Sequence, residues 1–313
     1  MPVSWDDEVD SILGGDLTAA LAYRTPAGGA VLVAVAPIGL RDRAAGTVGF
    51  TTSLGFGRKL QRIDSDPRVA LAFHAREHGF AESPQYVLVQ GRARVLHEPS
   101  PDERARVEAN ATTFLGSRRR GLFWDRWLYE YYEVRVQLDV DVDRIVTWPD
   151  VRCSGPPHVV GAAAVEDPPP PQRPPKKGTA PRVDAARAGK RVRGTAHVLL
   201  GFLAADGYPL VVPVEVEREG PEGLELSASV ALPAGGRRAG LLGHSYRPQL
   251  IGLEARQYTG WLEVGDDGRG LYAPHTETGF RAPPNKTMLL LVNGLLAKRG
   301  VRKARRAGAL PTG

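Results

Sequence analysis

Residues 168–177 read PPPPQRPPKK, and no other stretch limits the fold of this chain so severely. Proline lacks a backbone N–H and fixes φ, so such a run supplies neither a helix interior nor a sheet ladder. A semi-rigid, exposed spacer from Asp167 to about Arg193 is therefore expected to divide the 313 residues into two units, each long enough for its own core. Hydrophobic residues at 42% and charged residues at 24% give the balance of an ordinary globular protein.

Before the spacer, Ser4 as N-cap and the acidic residues after it predict a helix through Val9, Ile12 and Leu13 to the Gly14-Gly15 stop. Leu17 to Arg24 and Val31 to Ala36 read as a hairpin around a glycine-rich turn, with a third strand at Thr47 to Thr52 and a fourth at Val69 to Phe73. His74 to Pro84 is polar and turn-rich and reads as a loop, followed by an alternating strand, Tyr86 to Val95. Ser100-Pro101-Asp102-Glu103 carries a capping box with proline at the first helical position, predicting a helix to about Phe114. The six aromatics of Leu122 to Tyr132 suit a second helix packed on the sheet, with a planar ligand's pocket as the alternative. Strands at Tyr132 to Val140 and Asp143 to Trp148 close the unit.

Beyond the spacer, His197 to Ala204, Leu210 to Val216 and Leu224 to Val230 repeat the pattern of a hairpin plus a third strand. The echo extends further. Arg58-Lys59, Asp66-Pro67-Arg68 and Gln85-Tyr86 have Arg237-Arg238, Ser245-Tyr246-Arg247 and Gln257-Tyr258 in the same order, with Leu250 to Leu253 as the strand after the second of these. Such an ordered set argues for duplication. The arginines of the second copy read as structural remnants.

Gly49 to Phe73 is the stretch that carries chemistry. A strand ends in Thr51, Thr52 and Ser53, a glycine-bearing turn follows, and Arg58 and Lys59 open a short helix. Hydroxyls, free N–H groups and two cations suit a phosphate. The same residues also suit a solvated surface connection.

The formal net charge is +6, concentrated at Arg118 to Arg120, Arg173 to Arg193 and Lys298 to Arg306. Basic runs of this kind meet nucleic acid or anionic lipid, yet no DNA- or RNA-binding signature accompanies them, and no membrane partner is expected. One cysteine, Cys153, excludes an internal disulfide framework, and the acidic N-terminus lacks a signal-peptide pattern, so a cytoplasmic location is expected. No nucleophile elbow occurs. Of the seven histidines only His74 and His78 have metal-ligand spacing, and in a loop that pair reads as solvated.

Taken together, Phe50-Thr51-Thr52-Ser53, Arg58-Lys59, Asp66 to Leu71, Gly91-Arg92-Ala93 and Val142 to Trp148 resemble the FMN-binding split-barrel superfamily. These are the pyridoxamine 5′-phosphate oxidase-like proteins, which include actinobacterial F420-dependent reductases. The resemblance covers residues 1 to about 150 and, more faintly, 190 to 300. It implies a mainly β (α+β) fold of two tandem split β-barrels with short flanking helices. The expected division is a cofactor domain at 1–160, a linker at 161–192, a degenerate second barrel at 193–297 and a basic tail at 298–313.

By the same resemblance Phe50, Thr51, Thr52, Ser53, Arg58 and Lys59 hold a cofactor phosphate, and the backbone of Val33, Ala34 and Val35 lies along the ring. The family's ring-contacting glutamine is replaced by Tyr86, with Gln85 one place earlier, which opens the site to FMN or F420. The implied activity is hydride transfer to a small molecule, and the alternative is a non-catalytic flavin- or haem-binding protein. Relatives place the site between two barrels of a homodimer, a role the second unit could play as an intrachain pseudo-dimer.

Overall fold

The computed structural model describes residues 2–53, 57–96, 100–132, 135–164 and 167–306. The first unit contains α1 (Asp7–Gly15), β1 (Ala19–Arg24), β2 (Ala30–Val35), β3 (Arg41–Asp42), β4 (Thr47–Ser53), α2 (Gly57–Ser65), β5 (Arg68–Phe73) and β6 (Tyr86–Leu96). It continues with α3 (Pro101–Leu115), α4 (Leu122–Trp127), α5 (Tyr129–Tyr132), β7 (Arg135–Trp148) and β8 (His158–Gly161). The second contains α6 (Ala185–Arg193), β9 (His197–Leu203), β10 (Pro209–Pro213), β11 (Glu215–Gly220), β12 (Gly223–Ser227), β13 (Gly235–Ser245), β14 (Glu254–Val264), β15 (Gly270–Arg281) and α7 (Lys286–Arg306).

Two antiparallel sheets result, and their strand orders coincide. The first runs β2-β1-β5-β6-β7-β4-β3, with β8 added to β7; the second runs β10-β9-β13-β14-β15-β12-β11. Even an irregularity is repeated. The β6–β7 ladder slips at Gln90/Gly91 and the β14–β15 ladder at Thr259/Gly260. A Cβ at Gly91 would lie 2.1 Å from the Asp141 carbonyl oxygen, and one at Gly260 2.2 Å from that of Ala273, so each slip requires glycine. The mainly β fold of two tandem split-barrel units therefore stands.

Each unit has its own core. Val48, Phe50, Leu71, Val89 and Leu138 fill the first, and Leu200, Leu226, Leu241 and Leu262 the second. Strand alternation explains the remaining faces: Ala20, Ala22, Ala70 and Ala72 point the other way and meet Leu199, Leu203, Val211 and Leu242 in a third, shared core. The contact is reciprocal, since β2 lies across β9, β13 and β14 while β10 lies across β1 and β5. Leu32 of β2 seats on Gly201, where a Cβ would lie 2.3 Å from its Cδ1. Several polar groups inside the seam are matched. Tyr86 donates to the Val211 carbonyl at 2.6 Å, Gln90 to that of Pro209 at 2.6 Å, and Arg144 pairs with Asp206 at 2.6 Å.

Several expectations need correction. The N-cap of α1 is Asp6, whose carboxylate accepts from the Val9 N–H at 2.8 Å, rather than Ser4. The two strands expected after residue 132 are one, β7, because the register slip lies within its ladder to β6 and does not interrupt it. The spacer is shorter and better anchored than its composition implies. Its last residues form α6, which buries Ala185, Ala188 and Val192 in the second core, and Gln172 bonds to Gly28, Gly236 and Arg238 from both units. The aromatic segment forms two short helices with no buried residue; Leu128 between them is buried, and Phe123 remains 58% exposed. Residues 298–306 belong to α7 rather than a separate tail.

The echo also changes register. Arg58 and Lys59 lie on α2, whereas Arg237 and Arg238 lie on β13, the counterpart of β5. By the shared slip, Gly91 matches Gly260, so Tyr86 corresponds to Ala255 rather than Tyr258. Leu250 to Leu253 is not a strand: Pro248–Leu250 forms a single 3-10 turn, a further turn follows, and the next strand starts at Glu254.

Candidate functional site

Of the residues expected to cradle a phosphate, those at the end of β4 and the start of α2 lie close together. Alternation places Phe50 in the core at 0% exposure and turns Thr51 half-outward, while Thr52 is 5% exposed. Lys59 reaches back from the first turn of α2 and donates to Thr52 Oγ1 at 2.5 Å. Arg58, one residue earlier, is exposed. Leu60 and Ile63 anchor the opposite face of α2 in the core, so the helix presents its cations while its apolar side is fixed. The Ser53 side chain lies outside the described residues.

Below α2 the chain is braced by charge. Asp66 pairs with Arg24 at 3.2 Å and Arg68 at 2.7 Å, and the Arg68 hydrogen bond holds its carboxyl below the usual range. Arg68 also donates to the Asp206 carbonyl at 3.0 Å, tying this turn to the second unit. Thus Asp66-Pro67-Arg68 braces the end of α2 and joins the two halves.

The structure brings only part of the expected set together. Val33 and Ala34 are half-buried on β2, which neighbours β4, and Val35 is buried. Phe50 offers only its backbone. Gln85 and Tyr86 stand apart, because β7 pairs with the cradle strand at one end and with Tyr86 at the other. Tyr86 is wholly buried in the seam, edge-on to Trp148. Arg237, 1% exposed, spends its guanidinium on the carbonyls of Pro169, Pro233 and Ala234, which makes it a brace for the linker.

A second polar cluster escaped sequence reasoning. His74, His197 and His244 meet at one end of the seam with ring centroids 4.9 to 5.3 Å apart. His74 is 4% exposed rather than solvated, and His78 instead approaches Tyr246. The Ala72 carbonyl can only accept, so His74 Nδ1–H donates to it at 2.9 Å. The neutral ring then offers a lone pair at Nε2, and His244 Nε2–H donates to it across 2.7 Å. Burial lowers the proton affinity of all three imidazoles, with mutual repulsion adding to the effect at His74 and His244, while Glu77 partly offsets it at His197 from 3.2 Å. Nearby, burial pushes the Asp16 carboxyl up to about 8 against the pull of Arg76. A signal did exist. His74 continues the phase of Ala70 and Ala72, as His244 continues that of Leu242, so both belong to the shared face. Among the described residues no group of three or more His, Cys, Asp or Glu side chains could hold a metal ion.

No family model matches the chain, and no curated protein matches it. Solved structures do. A conserved hypothetical protein from Mycobacterium tuberculosis is 19% identical, with 52% of this chain and 95% of that one covered at a TM-score of 0.35. A protein related to general stress protein 26, of the pyridoxinephosphate oxidase family, from Clostridium acetobutylicum is 12% identical, with coverages of 49% and 88% and a TM-score of 0.32. An F420 reductase is 17% identical, with coverages of 44% and 94% and a TM-score of 0.32.

Proposed function

We propose that this protein is an oxidoreductase that binds FMN or F420 at the first unit and transfers hydride to or from a small molecule. The observation that carries the reading is the Lys59–Thr52 contact, which gathers a cation, a hydroxyl and the first turn of α2 at the end of β4. That donor set fits a phosphate: Lys59 and Thr52 would bind its oxygens, Arg58 would close over it, and the α2 N–H groups would add partial positive charge. When bound, the cofactor supplies hydride chemistry, so the protein needs no nucleophile of its own. Val33 and Ala34, half-buried on β2, would line the ring with their backbone and exclude water from one face. The second unit would take the place of the partner barrel, a reading supported by the reciprocal packing of β2 and β10.

Spectroscopy of the freshly purified protein, with FMN and F420 titrated in, tests the proposal. Binding of one of them, lost in Arg58→Ala/Lys59→Ala with the fold retained, is expected. Failure to bind either would overturn it. A non-catalytic carrier is the second reading, favoured by the burial of Phe50 and Tyr86, which removes two side chains from the expected set. Turnover with NADPH or reduced F420 separates the two.

A further inference from the structure

We infer that the helical cap formed by α4, α5 and α7 is a docking face for an anionic membrane surface. Eight large hydrophobic side chains are exposed among the described residues, and six of them lie on these helices: Leu122, Phe123, Tyr129, Met288, Leu295 and Leu296. Leu122 is 95% exposed, and it is the gathering of such side chains on one set of helices that marks an interaction face.

The arrangement on α7 indicates what covers it. Leu290, Ala297 and Val301 are buried on one side of the helix, at helical spacing. Met288, Leu295 and Leu296 are exposed on the other, and Arg299, Arg302 and Arg306 prolong the same stripe. One outward face therefore runs from apolar to cationic along the helix axis. Its sequence, KTMLLLVNGLLAKRGVRKARR, contains seven Lys or Arg residues and no acid.

The first unit adds to this face. Trp127 donates from Nε1 to the Leu291 carbonyl at 3.2 Å, Lys298 sits 4.5 Å over its ring, and Phe123 stacks on it at 6.0 Å. Exposed Arg119, Arg120 and Arg126 flank those aromatics.

An anionic bilayer satisfies both halves of the face. Leucine and methionine enter the acyl boundary while arginines meet lipid phosphates. A nucleic acid would engage the arginines and leave Met288, Leu295 and Leu296 in water. The contact lies on the surface, since no helix among the described residues is long and apolar enough to cross a membrane.

Co-sedimentation of the full chain with phosphatidylcholine vesicles, with and without phosphatidylglycerol, tests the inference. Partition onto the anionic vesicles alone is expected, weakened by salt, and reduced at least about tenfold by Leu295→Glu/Leu296→Glu and by Arg299→Glu/Arg302→Glu. Should those variants misfold, tryptophan fluorescence of the unaltered protein serves, with a blue shift expected on adding anionic vesicles. Three results would overturn the inference: no partition with no shift, equal partition onto neutral vesicles, or DNA retention that Leu295→Glu/Leu296→Glu leaves intact while vesicles bind nothing. Self-association in solution that these substitutions abolish would assign the face to a second copy instead.

Discussion

The two sheets share one strand order and one glycine-dependent slip, yet they use the connection between their fourth and fifth strands differently. In the first unit that connection contains α2, whose Lys59 donates to the Thr52 hydroxyl of β4. In the second the chain passes from β12 to β13 without a helix, and the arginines that follow are strand residues. Arg237 is buried among carbonyls and Arg238 is engaged by Gln172 and Arg173. The same strand order thus accommodates a helix when the crossover is long enough to form one. When it is shorter, the arginines that follow it join the strand and hold the linker.

The seam offers the largest test of this comparison. Leu32 and Val211 both lie in it, one from each unit. Leu32→Ala should cost about 2–5 kcal/mol in thermal or urea unfolding, and Val211→Ala less, because it leaves a smaller cavity. Loss of stability confined to one half of the chain would break the picture of a single shared core.

Arginines of the two units should separate cleanly. Arg237→Ala leaves three carbonyls without their donor and should cost roughly 1.5–3 kcal/mol of stability with cofactor affinity unchanged. Arg58→Ala should leave the melting temperature within a degree or two of its original value, on the scale of ordinary surface substitutions. Its cofactor affinity should fall roughly tenfold or more. Calorimetry and ligand titration on both variants check the exchange.

Matched slips predict matched costs. Gly91→Val and Gly260→Val should each destabilise by about 1–3 kcal/mol or more, since both side chains would meet a partner-strand carbonyl. A tolerated Gly260→Val would end the equivalence of the two ladders.

The smallest expected effect concerns pH. Burial keeps the folded His74, His197 and His244 less protonated than their unfolded forms, so their stability contribution is present above about pH 6.5 and is lost as pH falls below it. Asp16 has the opposite sign: its raised affinity stabilises at low pH and is lost as pH rises towards 8. His74→Gln/His244→Gln should therefore flatten the acid side of the stability profile. An unchanged slope would show that the imidazoles do not carry it.

Local signals in the sequence were the readable ones. The capping box at Ser100 and Glu103, the first hairpin and the strand-to-helix passage at Thr51 to Lys59 all depend on neighbours within a few residues. Features made by packing were harder to read. Arg237 and Arg238 echo the helix-opening pair Arg58-Lys59, yet they join β13 because β9 and β14 pair with that strand on both sides. Asn293 and Gly294 interrupt the apolar run Met288 to Ala297, and α7 passes through them with Gly294 beneath Trp127. The histidine cluster draws on residues at 74, 197 and 244, and only the meeting of two sheets assembles it.

Binding stoichiometry tests the central claim most directly. Titration of the purified chain with FMN and with F420 should reach saturation at one equivalent of one of them per chain, because only the first unit carries α2 beside its fourth strand. Two equivalents would contradict the asymmetry between the units, and none would contradict the cradle itself.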